Sequence, residues 1–560
     1  MKYAIGIDFG TLSGRAVLAE LDTGRILADS VGVYRHGVMD GRLPATGEPL
    51  PERWALQDPS DYEETLYAVI PAVIRESGVN PGDIVGVGVD FTSASILPVT
   101  AEGVPLCRLP EFRGEKHAYV KLWKHHAARR QAAAIRALLS REAPGRLRTS
   151  MQTVSSESQL SKTLETLENA PEVYRRAAHF LEAGDWITFL LCGEMTQSLC
   201  AAGFKGLYDL TEGWPDKELL EKLHPELENY LSEKWSRPVL KLGEPAGRVT
   251  RAAAERTGLP EGCAVAVSII DGHAAPSACG LRDDGTALLI LGTGSTHTLV
   301  SQAYRPVEGL CGIVRDGIYP GYYAYEAGQC CVGDHYDWFA SGYLNGEAQA
   351  AAEGLTAQEY LSRKAALLEP GESGLLALDW WNGSRSPYMD SGLRGALLGL
   401  SLRTRPEEIY RALVEATAFG ARTIHDAYRQ AGFRLGEIRA TGGICGKSPL
   451  VMGIYADVLG LPIRLAGIRY GSALGSAMYA AVAAGSKRGG FDSIFDAMDR
   501  MEDVSDIVYE PDPVHQERYN ALYARYRALA RLLAEERPEL GRGTNYNGLA
   551  DFGRRKTDNV

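Results

Sequence analysis

The sequence has no apolar run of about 18 residues, the length a membrane helix needs, and no basic and then apolar leader at its start. It also has no C-x-x-C pair and no excess of basic residues. Each absence excludes a class of function. Without a spanning run or a leader, the chain is expected in the cytoplasm, with no membrane partner. The nine cysteines, at 107, 192, 200, 263, 279, 311, 330, 331 and 445, are odd in number and scattered. They read as reduced thiols rather than a disulfide frame or a zinc site. Cys330 and Cys331 suggest a redox pair, but sequence neighbours rarely reach disulfide geometry, so packing is their expected use. The 59 Lys and Arg against 71 Asp and Glu leave a net charge of −12, which argues against a nucleic-acid partner because phosphate backbones need a basic surface. What the chain does have is length and apolar content. Its 560 residues are 45% hydrophobic and 23% charged, enough for two domains and an appendage, with a small ligand as the fitting partner.

Apolar alternation in YAIGID, GRAVLAEL and GRILADSVGVYR, with an Asp-Thr-Gly turn before the third, predicts three strands joined by hairpins. A helix near Tyr62 to Glu76 and the strand DIVGVGVD, ending on Asp90, complete a β-β-β-α-β unit. A related order returns after residue 284: TALLILGTGST, then THTLVSQA, a helix over 406–432 and the strand EIRAT. The chain thus reads as one α/β plan used twice, a repeat of topology rather than of sequence. The expected domains are 1–283, with a mostly helical insertion over about 110–260, and 284–488. Residues 489–560 form an extension in which Tyr519, Leu522, Tyr523, Tyr526, Leu529 and Leu533 share one helical face. The last segment, GRGTNYNGLADFGRRKTDNV, is polar and Gly-rich and is expected to be mobile.

Each half opens with a strand that runs into a glycine-bearing turn: Gly10, Thr11, Ser13 and Arg15 in the first, Gly292, Thr293, Gly294 and Ser295 in the second. Glycines let backbone N–H groups approach phosphate oxygens, and hydroxyls add donors. Either turn alone reads as an ordinary hairpin, whereas the pair in matching places reads as a phosphate clamp. Arg15 has a second use, as a structural partner of nearby acids. Asp8 ends the apolar run IGI, where it could hold Mg²⁺, a hard cation that takes oxygen ligands and keeps part of its water. Asp271 ends the run AVAVSII. Phosphoryl transfer asks of the protein in-line placement, charge neutralisation and an acceptor for a hydroxyl proton, and Asp271 suits the last role. His273 invites the same role but reads as a packed or capping ring. The segment from Thr441 to Ser448 imitates a Walker A loop, but only three residues separate Gly442 from Gly446 where four are required. In a two-domain ATPase, Gly442 and Gly443 instead suit close approach to adenosine, with Lys447 at the helix start.

Together these segments resemble the FGGY carbohydrate kinases of the actin-like ATPase superfamily. The likeness runs over about residues 3–488, through IGIDFGTLSGR, the central DGH, GTGST, TGGICGKSPLVMGIYADVLGLPI and GSALGSAMYAA. It implies two duplicated actin-like, ribonuclease H-like α/β domains around an interdomain cleft, with ATP and Mg²⁺ as cofactors. GVDFTSASILPV, LWKHHAA and EAGDWITFLLCGE look most like the bacterial L-ribulokinase branch. That branch implies conversion of L-ribulose to L-ribulose 5-phosphate in arabinose catabolism, with a related ketopentose as an alternative substrate. By the same resemblance Ser93, Ala94, Trp123, Lys205 and Glu326 are implied sugar contacts beside Asp271. His125 and His126 point about 100° apart on a helix and read as structural; Asp90 reads as support for the loop or the metal. The alternatives are a xylulokinase-type or glycerol-kinase-type member and, more remotely, an actin- or chaperone-like non-kinase ATPase. Against the last, only about 75 residues follow Gly485, with no β-rich peptide-binding module. A homodimer is compatible with the sequence, which leaves the oligomeric state open.

Overall fold

The computed structural model describes residues 1–149, 154–342, 353–466 and 470–542. The polar segment expected to be mobile lies, from residue 543 on, outside the described residues. The predicted hairpins form as β1 (Tyr3–Phe9), β2 (Ser13–Glu20) and β3 (Ile26–Val33), paired antiparallel. Helix α1 (Pro59–Ser77) starts where Asp58 accepts from the Ser60 N–H and ends at left-handed Gly78. Its buried Tyr62, Leu66, Val69, Ile70 and Val73 recur at helical spacing, which turns one face onto the sheet. Strand β4 (Ile84–Phe91) is buried at every residue and lies parallel to β1. With β5 (Ala264–Ala266) the strand order is β3-β2-β1-β4-β5, and Pro245–Arg248 lies beyond β5. Helix α2 (Asp271–Ala278) follows.

The second half repeats this order and pairing sense. Strands β6 (Thr286–Leu291), β7 (Ser295–Ser301) and β8 (Tyr323–Gln329) are antiparallel neighbours. After α3 (Pro406–Gln430) come β9 (Glu437–Thr441), α4 (Pro449–Leu459) and β10 (Ile463–Ala466), giving the order β8-β7-β6-β9-β10. Gly312–Arg315 and Val504–Tyr509 extend the two edges.

A plan of two successive copies does not foresee helix α5 (Gly471–Ala484), which crosses back and packs on the first sheet. A Cβ on Gly6, Gly86 or Gly88 would fall 1.7, 2.3 and 2.1 Å from the carbonyl oxygens of Ala473, Ala480 and Ser476. Only glycine lets β1 and β4 carry the helix backbone this closely. Residues from both halves therefore build one core around β1 and β4.

The insertion is not helical throughout. Besides helices such as Arg129–Glu142 and Gln159–Asn169, it supplies the strands Val120–Lys121 and His179–Glu182 to a four-stranded sheet with Leu56–Gln57 and Ile96–Val99. Strands of two to four residues show too little alternation to be read. In the extension, α6 (Pro513–Arg531) buries Tyr519, Tyr523 and Tyr526 in the core of the second half, with Leu522, Leu529 and Leu533 half-buried beside them. No helix among the described residues is long and apolar enough to cross a membrane.

Candidate active site

The parallel pairing of β1 with β4 sets Asp8 opposite Asp90. The Arg15 guanidinium, carried in by the β1–β2 register, donates to Asp8 at 3.1 Å. Asp90 accepts from the Ser476 hydroxyl of α5 at 2.6 Å, and its second oxygen is buried without a hydrogen-bond partner. Burial raises the pKa of both carboxyls; Arg15 opposes the rise at Asp8, and the charge of Asp8 adds to it at Asp90. Asp271 heads α2, where the Gly272 N–H donates to it at 2.7 Å. Burial first, and then the charge of Asp8, pushes Asp271 up to about 7, a value suited to a base that works near neutral pH.

Each glycine turn is closed by a backbone hydrogen bond from its first glycine. The Gly10 N–H donates to the Ser13 carbonyl at 3.0 Å, and the Gly292 N–H to the Gly294 carbonyl at 2.9 Å. Their side chains serve less uniformly than expected. Arg15 divides its guanidinium between Asp8 and the Ser13 hydroxyl, 3.2 Å away, which favours its structural use over contact with phosphate. Ser295 is buried, and its hydroxyl donates to Gln329 at 2.8 Å and meets His297 Nε2 at 3.0 Å. It braces the second turn from behind, and Thr293 is the exposed hydroxyl there. Gly294 and Gly442 stand where a Cβ would meet the carbonyls of Gln329 and Leu291 at 2.5 and 2.3 Å, and Gly442 has φ 108°. The Ile444 N–H reaches the Leu291 carbonyl at 3.4 Å and the Gly333 N–H reaches that of Gly292 at 3.0 Å. The second turn, the exposed Gly442 and Gly443 and the head of helix Gly333–Gly342 therefore gather in one place. Lys447 is exposed nearby, and Ser448 caps α4.

Lys205, on helix Leu199–Gly206, meets Glu326 of β8 at 3.1 Å, joining the two halves. His273 of α2 reaches the other Glu326 oxygen at 3.1 Å, and its second ring nitrogen lies 3.2 Å from Cys200. Burial would raise Glu326, but Lys205 and then His273 overcome it and hold the carboxyl well below its usual range. Burial would lower Lys205, but Glu326 and Glu157 overcome it and raise the amine. Asp271 senses the charges of Glu326 and Lys205 as well as Asp8, so all these groups surround one region. Trp123 is half-buried and donates its ring N–H to the Thr11 hydroxyl at 3.1 Å, linking an implied sugar contact to the first turn. Ser93 is half-buried and Ala94 fully buried beside that loop.

Sequence pattern gave no signal for the ion pair between Glu157 and Arg385, 2.8 Å long, which also joins the halves beside Lys205 and Glu326. His273, read as a packed ring, also orients Glu326. His125 and His126 are structural, bonded to Glu165 at 2.9 Å and Ser156 at 3.0 Å. Among the described residues no cluster of three or more His, Cys, Asp or Glu could hold a metal, and all nine cysteines are free.

Models of the N-terminal and C-terminal domains of the FGGY family of carbohydrate kinases match residues 3–277 and 287–484. A ribulokinase from Halalkalibacterium halodurans is 46% identical over 527 residues, 94% of each chain. One from Bacillus licheniformis is 45% identical over 521 residues, 92% of this chain and 94% of the relative. Two solved structures share the fold: a xylulose kinase from Rhodospirillum rubrum (TM-score 0.76, 24% identity, 95% of this chain and 99% of that one) and a ligand-bound xylulose kinase from Lactobacillus acidophilus (TM-score 0.79, 18% identity, 96% and 100%). Two sheets of one strand order, acids at the ends of the first and glycine turns on both, are thus matched nearly end to end, and the chain belongs to the FGGY family of carbohydrate kinases.

Proposed function

We propose that this kinase transfers the γ-phosphoryl group of ATP to the terminal hydroxyl of L-ribulose, forming L-ribulose 5-phosphate. The observation that carries the reading is the convergence of Lys205, His273 and Glu326 across the two halves, within electrostatic reach of Asp271. A donor and an acceptor fixed by each other suit the keto oxygen and hydroxyls of a small sugar. The ribulokinases that resemble the chain over more than nine-tenths of its length support this substrate.

In this mechanism Lys205 and Glu326 orient the sugar, with Ser93, Ala94 and Trp123 lining its other side. Asp271, ionised above about pH 7, accepts the hydroxyl proton as the oxygen attacks phosphorus. Gly10 and Thr11 face the phosphates from the first half, and Gly292, Thr293 and Gly294 face them from the second, with Gly442 and Gly443 beside the adenosine. Residues 1–283 then carry the sugar, 284–488 the nucleotide, and 489–560 the extension. Mg²⁺ fits the acidic end of the first sheet, where Asp8 would hold it and the unpartnered Asp90 oxygen adds a second oxygen donor. The ion would supply neutralisation of phosphate charge.

A coupled ADP assay over ketopentoses and polyols tests the substrate. L-Ribulose is expected to give the highest kcat/KM, with weaker activity on other pentuloses that differ only in hydroxyl configuration. A higher value for D-xylulose or glycerol would overturn this choice.

A further inference from the structure

Two of the implied sugar contacts, Ala94 and Trp123, lie in loops well separated in sequence. Ala94 is fully buried and has φ 53°, in the left-handed region that residues with a Cβ seldom occupy. Such a conformation persists only where its surroundings enforce it. Here the Ala94 carbonyl accepts from Lys162 Nζ at 2.6 Å. The same ammonium donates at 2.7 Å to the carbonyl of Leu122, the residue before Trp123, and lies 3.5 Å from that of Lys121.

Lys162 comes from helix Gln159–Asn169 and has no solvent exposure. A buried ammonium is costly unless its three donors are satisfied. Lys121, on the neighbouring strand, contacts the Glu165 carboxylate at 2.7 Å. The hydrogen bonds of Lys162 go instead to main-chain carbonyls of the two loops. The clasp is reciprocal, since Lys121 Nζ donates to the Lys162 carbonyl at 3.1 Å and to the Thr166 hydroxyl at 2.7 Å. Beyond Leu122, the Trp123 ring continues the connection to Thr11 of the first phosphate turn.

We propose that Lys162 is a positioning residue for sugar recognition: its ammonium ties the Ala94 loop to the Trp123 loop and so fixes the spacing between the sugar pocket and the first phosphate turn. The inference rests on the proposed ketopentose site and deepens it. Lys162 touches neither sugar nor phosphate; it holds the backbone that carries the contacts.

Steady-state kinetics of Lys162→Met, Lys162→Gln and the double variant Ala94→Gly/Lys162→Met test this. Removing the ammonium is expected to raise KM for L-ribulose about tenfold or more while KM for ATP stays within about twofold, since only the sugar side loses its geometry. Lys162→Gln, with two amide donors on a shorter arm, should fall between wild type and Met, and it carries the test if Lys162→Met does not fold. Glycine adopts a positive φ without strain, so the double variant should recover part of the sugar KM. A merely structural lysine would lower the melting temperature without this split or this rescue. Normal sugar KM in an active Lys162→Met or Lys162→Gln enzyme, or equal rises in both KM values, would overturn the tie. A wild-type enzyme inactive on every ketopentose would overturn the proposed substrate instead.

Discussion

The two sheets share strand order and pairing sense, yet the ends of their central strands carry opposite chemistry. In the first, β1 and β4 carry the facing acids Asp8 and Asp90 one residue before their ends, with Asp271 close enough to feel Asp8. In the second, β6 and β9 pair Ile290 with Thr441 and run into Gly292 and Gly442. One end gathers buried carboxyls whose pKa values rise; the other offers backbone bared by glycine. Duplication thus supplies two frames, and in the proposed mechanism the division of labour follows from the residues at the strand ends: proton and charge handling on the first, close approach to an anionic ligand on the second.

Removing the base should break this comparison most severely. Asp271→Asn is expected to lower kcat by at least about 10²-fold, the scale of lost general-base catalysis, with nucleotide affinity largely kept. Since the Asp271 pKa is raised to about 7, wild-type kcat/KM should fall as pH drops through that value, and the Asn variant should lose this limb. Stability runs the other way. A carboxyl whose folded pKa lies above its unfolded one stabilises the fold most at pH below the unfolded pKa of 3.8, and that contribution is lost as pH rises through about 7. The Asn variant should therefore compare better with wild type at pH 8 than at pH 5 in thermal denaturation. Near-normal turnover would remove Asp271 from the base role.

The next effect comes from the contact that joins the two regions. Glu157 and Arg385 lie 2.8 Å apart with side chains only 14% and 21% exposed. Burial would raise Glu157, but Arg385, joined by Lys205, His126 and Lys162, outweighs it and brings the carboxyl down to about 2. Arg385→Ala leaves that carboxylate without its partner, which costs about 3 kcal/mol, the low end for a broken buried pair because some solvent remains. Denaturant unfolding should show this loss, and the double variant with Glu157→Ala should lose less than the sum of the two single changes. Additive losses would mean that the pair is not an energetic unit.

What could be read in advance divides along similar lines. Hairpins, turns and the carboxylates that interrupt apolar runs are local, so β1 to β3, Asp8 and Asp271 were legible from spacing. Lys205, Glu326 and Trp123 were reachable only through resemblance, because nothing in their own neighbourhoods marks them. Arg385 lies 228 residues from Glu157 and Lys162 lies 68 from Ala94; such partners acquire meaning only once the chain is folded. Ser295 shows a different limit of local pattern. Its hydroxyl suits phosphate, but as the first residue of β7 it faces the core, where Gln329 takes it.

On the second sheet, Gly442→Ala sharpens the comparison. Its φ of 108° and a Cβ 2.3 Å from the Leu291 carbonyl make any side chain a strain of about 1–3 kcal/mol. KM for ATP should rise while KM for the sugar stays close to wild type. A shift confined to the sugar would reverse the assignment of the two regions.

The smallest expected effect tests how the extension supports that second region. Tyr526 of α6 donates to Asp379 at 2.7 Å, Gln329 donates to the other Asp379 oxygen at 2.8 Å, and Ser295 donates to Gln329 at 2.8 Å. Three hydrogen bonds therefore lead from the extension to the second glycine turn. Tyr526→Phe removes the first of them without emptying the core, because the ring is retained, so the loss should be about 1 kcal/mol. Asp379 keeps Gln329, and burial has already raised its pKa, which limits the penalty on the oxygen left behind. If the chain of contacts holds the turn, KM for ATP should rise by up to about twofold and KM for the sugar should not move. A larger change on the sugar side would show that α6 acts on the first region as well, and the two sheets could no longer be assigned separate tasks.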